Sequence, residues 1–174
     1  MRRLFEKKTV RYGVISAVII IIALIIVFKI LGAGEITMLN SKSITDWKMG
    51  GSVEGISSPE DGESVDYSPF VWFDEDGKTG LRNEGTGTCY YMSKYPMSNA
   101  GKFCVTGFES SENVYSIMGI RVGDSELDAK NQLLDSGYSF IGGGLNSMRA
   151  VNGCITIELL FEHGTVIRIA AYIN

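Results

Sequence analysis

The residues that could do chemistry are few and scattered in this sequence. His163 is the only histidine, so any Ser-His or Cys-His nucleophilic pair would have to use it. It falls in a predicted hairpin loop, where histidine tolerates a left-handed backbone. A zinc site needs three or four clustered ligands, which one histidine and three dispersed cysteines do not provide. The sequence therefore predicts no catalytic residue, no metal site and no cofactor.

Neither the acidic stretch nor the glycine-rich stretch matches a ligand-binding loop. Residues 74–77 (Asp-Glu-Asp-Gly) place glycine fourth, whereas a calcium loop of the EF-hand type needs it sixth, so a hairpin turn is predicted. Residues 142–144 (Gly-Gly-Gly) lack the Lys-Ser/Thr pair and the helix that follow a phosphate loop. A glycosidase-type pair of carboxylates stays open as an alternative, although nothing singles out two of the acids.

The three cysteines permit two interpretations. Cys89 and Cys104 fall on the two strands of a predicted hairpin and could form a disulfide across it, which would close a loop of about 15 residues. Cys154 would then be a buried small side chain or an intermolecular partner. Three free, buried thiols are the other interpretation.

Aromatic side chains gather around the same hairpin. Trp72, Tyr90, Tyr91 and Tyr95 form a candidate partner surface, since aromatic residues are enriched at binding hot spots. The same residues, together with Phe103, would also suit the core of a sheet, and the sequence leaves both alternatives open.

An apolar segment near the N-terminus predicts membrane attachment. Residues 12–28 carry no charge, and nine of the ten residues 18–27 are Val, Ile or Leu. Some 20 such residues cross a hydrocarbon core of roughly 30 Å, so a transmembrane helix is predicted over 12–34. A cleaved signal peptide is the alternative. Five basic residues precede the segment and one lies near its far end, which predicts a cytoplasmic tail at 1–11 and a domain outside the cell membrane.

The rest of the chain is acidic. Residues 1–34 hold six of the sixteen basic residues and one of the twenty acidic ones, which leaves residues 35–174 with a net charge of −9. A domain of this charge repels phosphate backbones, so nucleic acid is excluded as a partner. The predicted partners are the lipid bilayer, through residues 12–34, and another envelope or membrane protein.

The pattern along the chain predicts an α+β fold: one N-terminal transmembrane helix, then an antiparallel sheet with one packed helix. Residues 35–67, rich in Ser, Gly and acids, predict a linker and domain entry, and residues 68–174 predict the extracytoplasmic domain. The expected helix covers 126–136. Strands are expected at 70–73, 88–93, 102–108, 115–122 and in a C-terminal hairpin.

The register of the C-terminal hairpin can also be predicted. A two-residue loop at 163–164 would pair Leu159 with Arg168 and put the arginine on the apolar face. A three-residue loop at 162–164 keeps that face aliphatic and pairs Glu158 with Arg168 on the other face. We therefore predict the three-residue loop.

Residues 114–174 resemble a known class of extracytoplasmic domains. The segment GIRVGDSELDAKNQLLDSGYSF and the hairpin CITIELLFEHGTVIRIAAYI are similar to the β-lactamase-inhibitory-protein-like class, which includes small outer-membrane lipoproteins of barrel assembly. The resemblance implies binding to other proteins. Sequence and resemblance together predict a membrane-anchored binding or accessory domain of a bacterial cell envelope. The alternative is a cell-wall-active or proteolytic enzyme with a carboxylate site.

Overall fold

The computed structural model describes residues 18–22, 33–51, 67–94 and 103–174. The chain divides into two compact units, 1–34 and 35–174. In the first unit, residues 18–22 are helical with exposed side chains, and most of the predicted segment 12–34 lies outside the described residues. Within the described ranges, no helix has both the length and the apolar character needed to cross a membrane.

The second unit is built on one antiparallel sheet of eight strands. These are β1 (Val71–Glu75), β2 (Lys78–Arg82), β3 (Cys89–Lys94), β4 (Phe103–Ser110), β5 (Ser139–Gly142), β6 (Ser147–Asn152), β7 (Ile155–Glu162) and β8 (Thr165–Ile173). Two helices precede groups of strands: α1, residues 33–42, and α2 (Glu126–Asp135). Most of α1 belongs to this second unit.

The predicted fold class, α+β with a transmembrane helix and one packed helix, is wrong. The described chain is mainly an eight-stranded antiparallel sheet with few helical residues, and none of its helices could span a bilayer. The strand content was underestimated because β2 (Lys-Thr-Gly-Leu-Arg) and the wholly exposed β5 lack the apolar alternation that predicts a strand. The expected strand at 115–122 contributes only isolated bridges.

The strand order shows that the sheet consists of two similar halves. It runs β1-β2-β3-β4-β8-β7-β6-β5, so each helix is followed by a four-stranded meander. The two meanders meet through their last strands, where β4 pairs with β8 from Gly107 opposite Tyr172 to Ser110 opposite Ile169. This pairing is the seam between the halves.

One face of the sheet carries the hydrophobic core. Alternate residues of the central strands, such as Phe108, Ile157 and Leu159, are buried there in one cluster with Leu39 of α1 and Leu133 of α2. Leu39 lies in the stretch 35–67 that the sequence assigned to a linker. Leu39 is the one buried residue of α1, and a single apolar position gives too weak a pattern to predict a helix.

Helix α2 lies almost where the sequence places it. The Ser125 hydroxyl caps it by accepting from the Asp128 amide at 3.1 Å. Its buried side chains are Ala129 and Leu133, whereas Leu127 and Leu134 are exposed. The helix therefore packs on the core through Ala129 and Leu133.

The predicted register of the C-terminal hairpin is also wrong. The turn contains two residues, His163 and Gly164, and a β-bulge in β8 then shifts the pairing by one residue. The bulge brings Leu159 opposite Ile169. The aliphatic face is therefore kept with a two-residue turn, which a regular ladder without a bulge would not allow. Arg168 consequently faces Leu160 rather than Glu158.

Candidate functional site

The face of the sheet opposite the core, named the outer face below, carries a row of aromatic residues alternating with glycines. The registers place Phe73, Gly80, Tyr91, Gly107 and Tyr172 side by side on β1, β2, β3, β4 and β8. The centroid of the Tyr91 ring lies 6.0 Å from that of Phe73 and 5.8 Å from that of Tyr172. Rings on alternate strands can approach this closely because the intervening strands contribute no side chain.

Gly107 is the residue that lets the two tyrosines meet. A Cβ atom at this position would lie 2.9 Å from ring carbons of both Tyr91 and Tyr172. Any larger residue would push the rings apart. The tyrosine pair thus depends on a glycine in the middle of β4, where glycine otherwise weakens a strand.

Glu109 is the polar centre of the outer face. Its carboxylate accepts hydrogen bonds from the hydroxyls of Tyr91 at 3.2 Å and Tyr172 at 3.1 Å, and Arg168 donates from Nη1 at 2.9 Å. Burial, followed by the nearby Glu109 charge, raises the pKa of Tyr91 to about 12. The same two causes raise the pKa of Tyr172. Both phenols therefore stay protonated as donors at neutral pH.

Positive side chains surround this centre, and three acidic ones are each held by an arginine. Glu109 pairs with Arg168, Glu158 with Arg149 and Glu75 with Arg82. Lys78 lies over the Tyr91 ring at 5.3 Å, and the Arg82 guanidinium lies over Phe73 at 4.6 Å. Four of the ten basic residues of 35–174 thus lie on one face of a domain with a net charge of −9.

The outer face has two shallow hollows. One, of about 200 Å³, is lined by Ile141, Arg149, Glu158 and Arg168 among others, and by neither tyrosine of the pair. The other, of about 280 Å³, adjoins the rings of Tyr91 and Tyr172 beside Lys78 and Ser93. The outer face therefore combines aromatic rings, guanidinium groups and shallow hollows, features that are enriched at protein-binding hot spots.

The structure separates the residues of the predicted partner surface. Tyr91 lies on the outer face, whereas Tyr90 is completely buried and its hydroxyl accepts from the Asp46 amide at 2.8 Å. Trp72 packs edge-on against Phe103 at 5.0 Å on the core side. Tyr95 lies outside the described residues. Adjacent residues of a strand point to opposite faces, so Tyr90 and Tyr91 cannot share one surface.

The two cysteines proposed as a disulfide are not brought together. Cys89 lies opposite Glu109 and Cys104 opposite Ser93, and neither of these two cysteines forms a disulfide. Along β4, Cys104 lies five residues from Glu109, the residue opposite Cys89, and each residue of a strand adds about 3.3 Å. A disulfide joins Cα atoms that are only roughly 4.4–6.8 Å apart. Burial is the main cause that raises the pKa of both Cys89 and Cys154, which disfavours reactive thiolates.

In the part of the chain that the structure describes, no three His, Cys, Asp or Glu side chains are grouped to hold a metal ion. His163 occupies the β7–β8 turn with a φ of 50°. Two of the three outer-face carboxylates, Glu109 and Glu158, lie two strands apart with Ala170 between them. Each accepts from an arginine, so their geometry suits charge pairing.

Sequence reasoning missed Glu109, Arg168 and Tyr172 as members of the site. Tyr172 has a detectable signal, because it occupies an outward position in a strand whose inward positions are aliphatic. Glu109 has none, since its partners come from β3 and β8, which are distant in the chain.

Comparison with known proteins adds no relative: no protein-family model, no curated protein and no solved structure matches this chain.

Proposed function

We propose that this chain is a non-enzymatic binding or accessory protein whose sheet domain contacts another protein of a bacterial cell envelope through the outer face. The observation that carries the proposal is the cluster of Tyr91, Tyr172 and Arg168 around Glu109. Tyrosine and arginine dominate binding energy at protein interfaces because they combine large contact area with directed hydrogen bonds. The ordered network reduces the entropy lost when a partner docks.

Charge defines the kind of surface that the partner presents. The side chains of Arg149 and Arg168 are 55% and 44% exposed. Their guanidinium groups can therefore donate N–H groups to acceptors of a docked partner. A complementary partner therefore offers carboxylate or carbonyl acceptors around an apolar centre. The resemblance of residues 114–174 to protein-binding envelope domains supports the same proposal.

The location of the domain forms part of the proposal. The apolar segment 12–34 holds the chain at the cell membrane, and the basic residues before it keep the N-terminus in the cytoplasm. A reporter enzyme fused after Asn174 should then be active only on the extracytoplasmic side. Activity of the fusion in the cytoplasm would reverse the orientation.

Co-purification from detergent-solubilised membranes tests the binding function. A protein retained by the full chain should be lost with Tyr172→Ala and with Arg149→Ala, which alter the outer face. The matched control is Leu127→Ala, an exposed position on α2, which should retain the same protein. Equal retention by all three variants would refute binding through the outer face.

A further inference from the structure

Strand β5 forms one edge of the sheet among the described residues. It pairs with β6 on one side, and in the described ranges no strand pairs with its other side. All four of its residues are exposed, including Phe140 at 40% and Ile141 at 57%. The loop that follows adds Leu145, whose side chain is fully exposed. An edge of this kind presents unpaired backbone N–H and C=O groups beside apolar side chains.

The opposite edge of the sheet, strand β1, has features that discourage pairing with another strand. Strand β1 carries Asp74 and Glu75, both exposed, and Pro69 comes shortly before it. Charges and proline near an edge discourage another strand from pairing with it. Strand β5 (Ser-Phe-Ile-Gly) carries neither charge nor proline, and its pairing with β6 is interrupted by a bulge between Phe140 and Gly142.

We propose that β5 accepts an extended, uncharged apolar segment of a partner protein as a ninth strand. Main-chain hydrogen bonds would supply affinity, and alternate side chains of the segment would contact Phe140 on one face and Ile141 on the other. Ile141 also lines the outer-face hollow beside Arg149 and Arg168, but strand addition depends on the β5 backbone and does not involve Tyr172.

A second copy of the chain suits β5 less well. Two domains with a net charge of −9 each repel one another. An uncharged segment meets no such repulsion at a strand that itself carries no charge.

The test uses the full chain in detergent micelles and a pool of uncharged heptapeptides in which Val, Ile, Leu or Phe alternates with Ser or Thr. Hydrogen–deuterium exchange should show saturable protection of residues 138–145. The variant Ile141→Lys should weaken binding at least tenfold, whereas Val71→Lys, at an exposed position of the opposite edge, should leave it unchanged. Peptides N-methylated at alternate residues should not bind, because they lack the required donors.

Three results would overturn the proposal: no saturable protection by the pool, protection that Ile141→Lys does not reduce, or equal binding of the N-methylated peptides. Concentration-dependent dimerisation that Ile141→Lys abolishes would assign the edge to a second copy instead. Tyr172→Ala should not affect peptide binding, so failure at β5 and failure of the outer-face function give different results.

Discussion

Replacement of Glu109 by alanine should destabilise the domain by about 2 kcal/mol. Its carboxylate holds two tyrosine hydroxyls at 3.2 and 3.1 Å, and each of these long bonds contributes about 0.5–1 kcal/mol. The Arg168 pair adds less than about 1 kcal/mol, because that arginine is 44% exposed. The substitution also leaves two half-buried phenols without their acceptor.

The matched control is Glu158→Ala on the same face. Glu158 has one arginine partner, Arg149, which is 55% exposed, so its loss should cost under about 1 kcal/mol. Urea unfolding of residues 35–174, which contain the complete core, followed by circular dichroism, would measure both changes. A cost at Glu158→Ala equal to or above that at Glu109→Ala would refute the assignment of Glu109 as the centre of the network.

Three further predictions concern the core and the tyrosines. Ile157→Ala should lower the unfolding free energy by about 2–5 kcal/mol, since this side chain is fully buried opposite Ala171; urea unfolding would show a smaller loss if the faces of β7 were inverted. Tyr138→Phe should stabilise the protein by roughly 1 kcal/mol in thermal unfolding, because the buried Tyr138 hydroxyl finds no hydrogen-bond partner among the described residues, whereas Tyr90→Phe should destabilise it by losing the bonds to Asp46. Because folding raises the pKa of Tyr91 to about 12, the stability it contributes is present below its unfolded pKa of about 10 and declines as pH rises to 12; Tyr91→Phe should flatten this decline, and an unchanged pH profile would contradict it.

The sequence predicts well what depends on neighbouring residues. The α2 boundaries follow from the capping Ser125 and from Gly137, whose φ of 81° ends the helix, and several strands follow from local apolar runs. The C-terminal hairpin shows the limit of this reasoning. The aliphatic face was recognised, but a bulge at Ile167 replaces the longer loop, and nothing in the local pattern distinguishes the two solutions.

What the sequence does not predict depends on contacts between distant segments. Helix α1 is held through Leu39, whose burial requires the completed sheet. The outer-face cluster joins Tyr91, Glu109 and Tyr172 from three strands, and no spacing in the chain relates them. The aromatic residues predicted to share one partner surface around Tyr90 lie on both faces of the sheet.

The seam between the two meanders has a consequence for the order of folding. Each meander pairs strands that are close in the chain, whereas β4 meets β8 across more than sixty residues, as Gly107 does Tyr172. Closing so long a loop costs more entropy than forming a hairpin, so the seam should form after both halves. The bonds from Tyr172 and Arg168 to Glu109 cross this seam. A partially folded chain would thus lack the complete outer-face cluster, and binding through the proposed surface would require both halves to be joined.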